Sequence, residues 1–335
     1  MRIGIVNDMP FAVETLRRAL ALEPTHRVIW VASNGAEAIE LCASQTPDVV
    51  LMDLLMPVMD GVEATRRIME RSPCAIIVVT VDLEQNLSRV FDAMGNGAVD
   101  AVNTPALGVG DVAEAARPLL RKLQNLAWLS APKQARPSAA LASRGPVASS
   151  RALVAIGSSA GGPAALAELF SQFPASFSAA VVVVQHVDEV FAAGMAEWLA
   201  TQSGIPVRLA RHGEPPQPGC VLLAGTNHHI RLQRNGELVY TAEPSSLIYK
   251  PSIDVFFDSV VDNWVGQAVG VVLTGMGRDG AEGLKRMRER GFLTLAQDQA
   301  TSAVYGMPKA AAAIGAAQEI RSLKDIARRL GELFG

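Results

Sequence analysis

The chain has few aromatics, few cysteines and no long apolar run. Phe, Trp and Tyr make up 5% of 335 residues, and there are three cysteines, Cys42, Cys74 and Cys220. Their wide spacing and odd number give no disulfide framework and no metal knuckle, which fits thiols in a reducing compartment. No apolar stretch approaches the roughly 18 residues that a membrane span needs, so the protein is not expected to be embedded in a membrane. The start, Met1-Arg2-Ile3-Gly4-Ile5-Val6-Asn7-Asp8, reaches an acid too early for a signal peptide, and a cytoplasmic location is expected. A formal net charge of −3 gives no overall pull toward nucleic acid.

Another absence divides the chain. No acidic residue lies between Glu114 and Glu168, while Arg117, Arg121, Lys122, Lys133, Arg136, Arg144 and Arg151 fall in that interval. Its middle, residues 130–140, is rich in Pro, Ala and Ser and lacks a core pattern, so residues 123–149 read as a flexible linker. Such a charge run most often keeps a linker solvated; attraction to an acidic receptor or an anionic surface is the alternative. At 335 residues the chain suits two domains, here 1–122 and 150–335.

In the first domain, short apolar runs at 3–6, 28–32, 47–52, 75–80 and 99–102 alternate with helical spacing at 11–22, 35–45, 61–70 and 83–94. That alternation predicts an α/β fold, a (βα)5 doubly wound sheet with its site at the C-terminal strand ends. Asp8, Asp53 and Thr80 sit at those ends. Paired carboxylates there can hold Mg²⁺, and one beside the metal can take up a phosphoryl group. Equally, Asp8 and Asp53 could simply open turns.

Alternation resumes in the second domain, with strands predicted at 152–156, 179–184, 207–210, 221–224, 269–273 and 293–296. Helices are predicted at 164–170, 191–201, 253–263 and 281–289. The Val-rich runs suit a mostly parallel sheet covered on both faces, and Asn235-Gly236 between alternating residues marks a β-hairpin over 230–240. After the first strand, Gly157-Ser158-Ser159-Ala160-Gly161 fits G-x-S-x-G, a serine on a sharp strand-to-helix bend. A glycine-rich packing turn or phosphate cradle would also fit. Gln185-His186 follows the 181–184 run, and Thr274-Gly275-Met276-Gly277-Arg278-Asp279-Gly280 follows the 269–273 run. Ser159, His186 and Asp279 thus form a candidate nucleophile, base and orienting acid. Asp279 also suits the N-cap of a helix starting near Gly280. His212, His228 and His229 compete for the base role.

Taken together, these motifs resemble two families. Asp53-Leu54-Leu55-Met56-Pro57-Val58-Met59-Asp60-Gly61 is similar to the phospho-acceptor turn of response-regulator receivers. That likeness implies Asp53 as phosphorylation site, Asp8 and Asp53 as Mg²⁺ ligands, and Thr80 as the hydroxyl that reports phosphorylation. Asn7 stands where that family has a second acid, Thr104 where it has lysine, and Ala101 where it often has a switching aromatic. The order of receiver, linker, I-G-x-S-x-G-G, V-x-Q-H and L-T-G-M-G-x-D-G resembles the chemotaxis-type protein-glutamate methylesterases, the CheB family. So does Tyr249-Lys250-Pro251-Ser252-Ile253-Asp254-Val255-Phe256-Phe257. Within it, the Asn7-Asp8-Met9-Pro10 start and residues 100–105 most resemble the WspF branch of a surface-sensing pathway.

This resemblance implies Ser159, His186 and Asp279 as the catalytic set, backbone N–H groups near Gly161 and Met276 as oxyanion donors, and His229 near the cleft. It implies a phosphorylation-regulated hydrolase of glutamyl methyl esters, with glutamine deamidation as a further activity and no catalytic cofactor. The implied partners are a methyl-accepting chemoreceptor-like substrate and a CheA-like histidine kinase. A receptor-binding regulator without catalysis is the alternative.

Overall fold

The computed structural model describes residues 1–83, 85–106, 112–129, 151–247 and 249–335. The chain forms two compact units, Met1–Ala131 and Pro132–Gly335. Most of the segment expected as linker, residues 130–149, lies outside the described residues.

The first unit is a five-stranded parallel sheet in the order β2-β1-β3-β4-β5. Its strands are β1 (Arg2–Val6), β2 (Arg27–Ala32), β3 (Val49–Met52), β4 (Ala75–Thr80) and β5 (Asp100–Asn103), with helices α1 (Pro10–Ala21), α2 (Gly35–Ser44), α3 (Gly61–Arg71), α4 (Leu87–Gly95) and α5 (Val112–Leu129) between and after them. Strand β3, Val-Val-Leu-Met, is buried at every residue, as a central parallel strand covered on both faces must be. The Asp60 side chain accepts from Glu63 N and starts α3, whose buried Ala64, Thr65 and Ile68 share one face. Helix α5 continues through Leu129, so residues 123–129 are helical rather than linker.

The second unit has a seven-stranded parallel sheet in the order β14-β13-β12-β6-β7-β9-β8. Strands β6 (Ala152–Ser158), β7 (Ala180–Gln185), β8 (Val207–Leu209) and β9 (Val221–Leu223) build one side. Strands β12 (Gln267–Val272), β13 (Leu293–Gln297) and β14 (Glu319–Arg321) build the other. The helices are α6 (Gly162–Ser171), α7 (Glu189–Gln202), α8 (Ile253–Asn263), α9 (Ala281–Arg290), α10 (Met307–Ala313) and α11 (Leu323–Phe334). A separate hairpin pairs β10 (His229–Leu232) with β11 (Leu238–Thr241), turning where Gly236 takes φ +87°.

The chain winds outward from β6 to β8 and then returns to lay β12 on the other side of β6. That reversal opens a crevice at the C-terminal ends of β6 and β12, the place where doubly wound sheets bind their ligands. Beneath it the core is built around Phe256, Phe257, Val182, Leu222 and Leu284, each 1% exposed or less.

Candidate active site

Ser159 is the first residue past β6 and stands half-buried at the crevice. Its turn is pinned from both neighbouring strands. Ser159 N donates to Thr274 O at 3.1 Å, just past β12, and the Thr274 hydroxyl donates to Ala160 O at 2.9 Å. Gly161 caps α6 in the left-handed region at φ +73°, where a Cβ would lie 2.6 Å from the Ala303 methyl. Gly275 is glycine for lack of room, since a Cβ there would meet Ser159 Cβ at 2.9 Å. Met276, the next residue, is therefore held beside Ser159 and is nearly buried. Among the described residues, the N–H groups of Ala160, Gly161 and Met276 donate to no protein acceptor. These are the donors that an oxyanion would use.

On the other side, Ser158 pairs with Gln185 in the β6–β7 ladder, so Ser159 and His186 occupy the next positions past adjacent strands. The Gln185 amide holds this junction together. Its Oε1 accepts from the Ser158 hydroxyl at 2.6 Å, and its Nε2 donates to Ser159 O at 2.8 Å and His186 O at 3.2 Å. His186 Nε2 lies 2.8 Å from Asp279 Oδ2. With Nε2–H donating to that carboxylate, the lone pair is on Nδ1, which is buried and has no partner among the described residues. Before substrate arrives, the bond between nucleophile and base is commonly open, and it tightens in the complex. One face of the imidazole is covered by Tyr249, whose ring stacks on it at 4.4 Å between centroids and 3° between planes.

Asp279 is 6% exposed and accepts four hydrogen bonds. Beyond His186 these come from Ser252 Oγ at 2.9 Å, Ile253 N at 2.7 Å and Asp254 N at 3.2 Å. The carboxylate therefore sits on the N-terminus of α8, where free N–H groups and the helix dipole favour a negative charge. Burial pushes its pKa up, but the hydrogen bond and charge of His186 together with the α8 N–H groups outweigh it, leaving Asp279 below the usual carboxylate range. The N-cap role is thus real but directed at a different helix: α9 itself is capped by Gly280 at φ +88°, without a side chain. Asp254 returns the contact, accepting Gly283 N of α9 at 2.7 Å. Burial and the nearby charge of Asp279 raise Asp254 to about 7.

His229 is fully buried and does not face the crevice. Its Nδ1 accepts Ser252 N at 3.1 Å and its Nε2 donates to Pro244 O at 3.2 Å. Burial lowers its pKa and keeps it neutral, so it acts as a strut behind Ser252 and Asp279. His212 and His228 are exposed, and no hydrogen bond links either to Asp279. Tyr249, Gln185, Ser252, Asp254 and Thr274 carry site roles that the sequence motifs contain but spacing alone does not assign.

In the first unit, Asp53 follows β3 directly and Asp8 lies exposed two residues past β1. Asn7 Nδ2 donates to Asp53 Oδ2 at 3.1 Å, and Leu54 N donates to Oδ1 at 2.7 Å. Burial, with the charge of Asp8 added, raises the Asp53 pKa. Gly61 closes the turn over Asp53, whose carbonyl a Cβ there would meet at 2.0 Å. Thr80 is buried at the end of β4, and Thr104 N donates to its carbonyl at 2.8 Å. The Thr104 hydroxyl is buried without a partner among the described residues. Among the described residues no cluster of three or more His, Cys, Asp or Glu gathers as a metal site.

A buried Asp-His pair beside a serine on a strand-to-helix bend, on a doubly wound sheet, defines a serine hydrolase unit. Joined to it in one chain is a (βα)5 unit with a half-buried carboxylate, Asp53, just past its central strand. The comparisons with known proteins give the family. Residues 154–330 match the CheB methylesterase family, and residues 3–107 match the response regulator receiver domain. A Pseudomonas aeruginosa protein named protein-glutamate methylesterase/protein-glutamine glutaminase 3 is 71% identical over 334 residues, covering all of both chains. A Pseudomonas fluorescens protein named protein-glutamate methylesterase/protein-glutamine glutaminase 1 is 69% identical over 334 residues, all of this chain and 99% of that one. The CheB methylesterase catalytic domain of Thermotoga maritima superposes with a TM-score of 0.52 at 33% identity, over 56% of this chain and all of that domain. The chain belongs to the CheB methylesterase family, with an N-terminal receiver domain.

Proposed function

We propose that the protein hydrolyses glutamyl methyl esters on methyl-accepting chemoreceptor-like proteins, under control of phosphorylation at Asp53. The observation that carries this is the 2.8 Å His186–Asp279 contact at the strand end next to Ser159. As Ser159 Oγ attacks the ester carbonyl, its O–H bond breaks and the proton passes to His186 Nδ1. The N–H groups of Ala160, Gly161 and Met276 take the negative oxygen. The tetrahedral adduct expels methoxide, which leaves as methanol with the imidazolium proton. Water then attacks the acyl-serine and gives its proton to Nδ1, and the imidazolium returns that proton to Ser159 Oγ as the acyl–oxygen bond breaks and glutamate is freed. A glutamine side chain follows the same course with ammonia leaving, in keeping with the double names of the relatives.

At the receiver, Asp53 accepts the phosphoryl group from a CheA-like histidine kinase, and Thr80 reports it. Asp8 and Asp53 are the carboxylates that would hold Mg²⁺, a fit supported by the raised Asp53 pKa, which a nearby cation would relieve. Bound there, the ion would neutralise charge on the acceptor and the phosphoryl oxygens. The resemblance of the receiver to the WspF branch extends the proposal to a surface-sensing pathway in the cytoplasm. No helix among the described residues is long and apolar enough to cross a membrane. A purely receptor-binding regulator would have no use for an acid buried under four donors and aimed at a histidine.

The test is methanol release from a methylated receptor cytoplasmic fragment, with and without a small phosphodonor. Release should rise with phosphodonor in the wild type and stay at the unstimulated level in Asp53→Ala. Equal stimulation of both proteins would refute control through Asp53.

A further inference from the structure

The segment from Tyr249 to Ser252 is locked onto the catalytic acid. Ser252 N donates to His229 Nδ1, and Ser252 Oγ donates to Asp279 Oδ1. At its other end the Tyr249 ring lies parallel to His186, at 4.4 Å and 3°. The Tyr249 oxygen reaches the loop that carries Met276, lying 2.8 Å from where a Cβ on Gly277 would stand, and Gly277 takes φ +85°. A serine, a base and an acid do not by themselves require an aromatic ring here.

The imidazole gains a positive charge as it takes the Ser159 proton. The face of a tyrosine ring is electron-rich and attracts a cation within about 6 Å of its centre. Against the neutral ring the stack offers dispersion, which is present before and after proton transfer. The electrostatic part appears only once the proton has moved, and such an interaction raises kcat rather than lowering KM. The His186 side chain is only 10% exposed, so little water competes for the charge.

We propose that Tyr249 is a positioning residue for ester hydrolysis, holding the His186 ring in plane and stabilising its imidazolium through the ring face. This rests on the hydrolase reading above. The charged or titratable groups around the imidazole include Asp279, which touches it, Asp254 on α8, His229 behind Ser252, Lys250 next to Tyr249 in the chain, and Asp188, two residues after His186. All remain in place when only the ring is changed.

The experiment compares wild type, Tyr249→Phe and Tyr249→Leu as full chains, by methanol release and by NMR titration of His186 without substrate. A cation–π contact of ordinary strength corresponds to a loss of about 2- to 30-fold in kcat for Tyr249→Leu, with KM unchanged. The acid limb of its kcat/KM profile and the His186 NMR midpoint should both move to lower pH. Tyr249→Phe keeps the face and should stay within about twofold of wild type. Should Tyr249→Leu fail to fold, a pentafluorinated phenylalanine at position 249 keeps the ring's shape, drains its face of charge, and should give the same losses. Wild-type kcat and midpoint in Tyr249→Leu, or equal impairment of Tyr249→Phe, would overturn the proposal. If wild type releases no methanol, the functional reading fails, and the NMR comparison still decides whether the ring stabilises the imidazolium.

Discussion

Asp279→Asn is the most informative single change at the site, because the four donors around the carboxylate dictate how an amide must sit. Oδ2 accepts His186 Nε2–H and Ile253 N–H, while Oδ1 accepts Ser252 Oγ–H and Asp254 N–H at the longer 3.2 Å. Placed at the Oδ2 position, the NH2 would face the Ile253 donor and drive His186 into the wrong tautomer. Placed at the Oδ1 position it faces a hydroxyl that can rotate to accept it and only the longer of the two α8 contacts. The second orientation costs less, so the His186 tautomer should survive and the main loss should be the negative charge. With charge centres about 4 Å apart and an effective dielectric near 20, that charge stabilises the imidazolium by about 4 kcal/mol, roughly a thousandfold in kcat. A tautomer reversal would cost about 10⁴-fold, as where an Asp→Asn change leaves the base of a triad in the wrong tautomer. Methanol release under saturating receptor fragment gives kcat directly, and His186 NMR shifts report the tautomer. A loss below about tenfold would refute the role given to Asp279.

Further outcomes follow from the same geometry. Asp254→Asn keeps an acceptor for Gly283 N and removes a carboxyl whose pKa burial raises from 3.8 to about 7. A raised carboxyl costs nothing below its unfolded pKa and costs progressively more as pH climbs to its folded value. The variant should therefore match wild type near pH 4 and gain stability up to about pH 7, then hold a constant lead. After solvent screening of a partly exposed group, that lead is about 1–2 kcal/mol, read by urea unfolding of the catalytic unit across pH; a difference that does not change with pH would contradict it. Asn7→Asp removes the amide that donates to Asp53 Oδ2 and adds a third carboxylate beside Asp8 and Asp53. Mg²⁺ binding by calorimetry should tighten; unchanged affinity would show that Asn7 does not face the ion.

Much of this was legible in the sequence. Continuous Val and Ile runs gave the central strands because parallel strands covered on both faces have no polar side to alternate. The hairpin was legible from Asn235-Gly236, since few residues tolerate the backbone of such a tight turn. Placing Ser159, His186 and Asp279 needed only the rule that function collects at strand C-termini. Spacing could not supply what is assembled across the sheet. Tyr249 meets His186, and Ser252 and Asp254 meet Asp279, only because α8 packs end-on against the loop before α9. His229 sits beside an exposed histidine in sequence, and only burial separates their roles. Strand β14 has three residues and none fully buried, so no pattern marks it. Helix α11 does carry helical spacing at Leu323, Ile326, Ala327, Leu330 and Phe334, a signal present in the sequence but outside the predicted elements.

The central claim, that Ser159 is the nucleophile of a glutamyl methyl ester hydrolase, is tested most directly by methanol release from a methylated receptor cytoplasmic fragment. Wild type and Ser159→Ala are compared at equal concentration with phosphodonor present. The account predicts release by the wild type and none above background by Ser159→Ala. Undiminished release by Ser159→Ala, or none by the wild type, would contradict it.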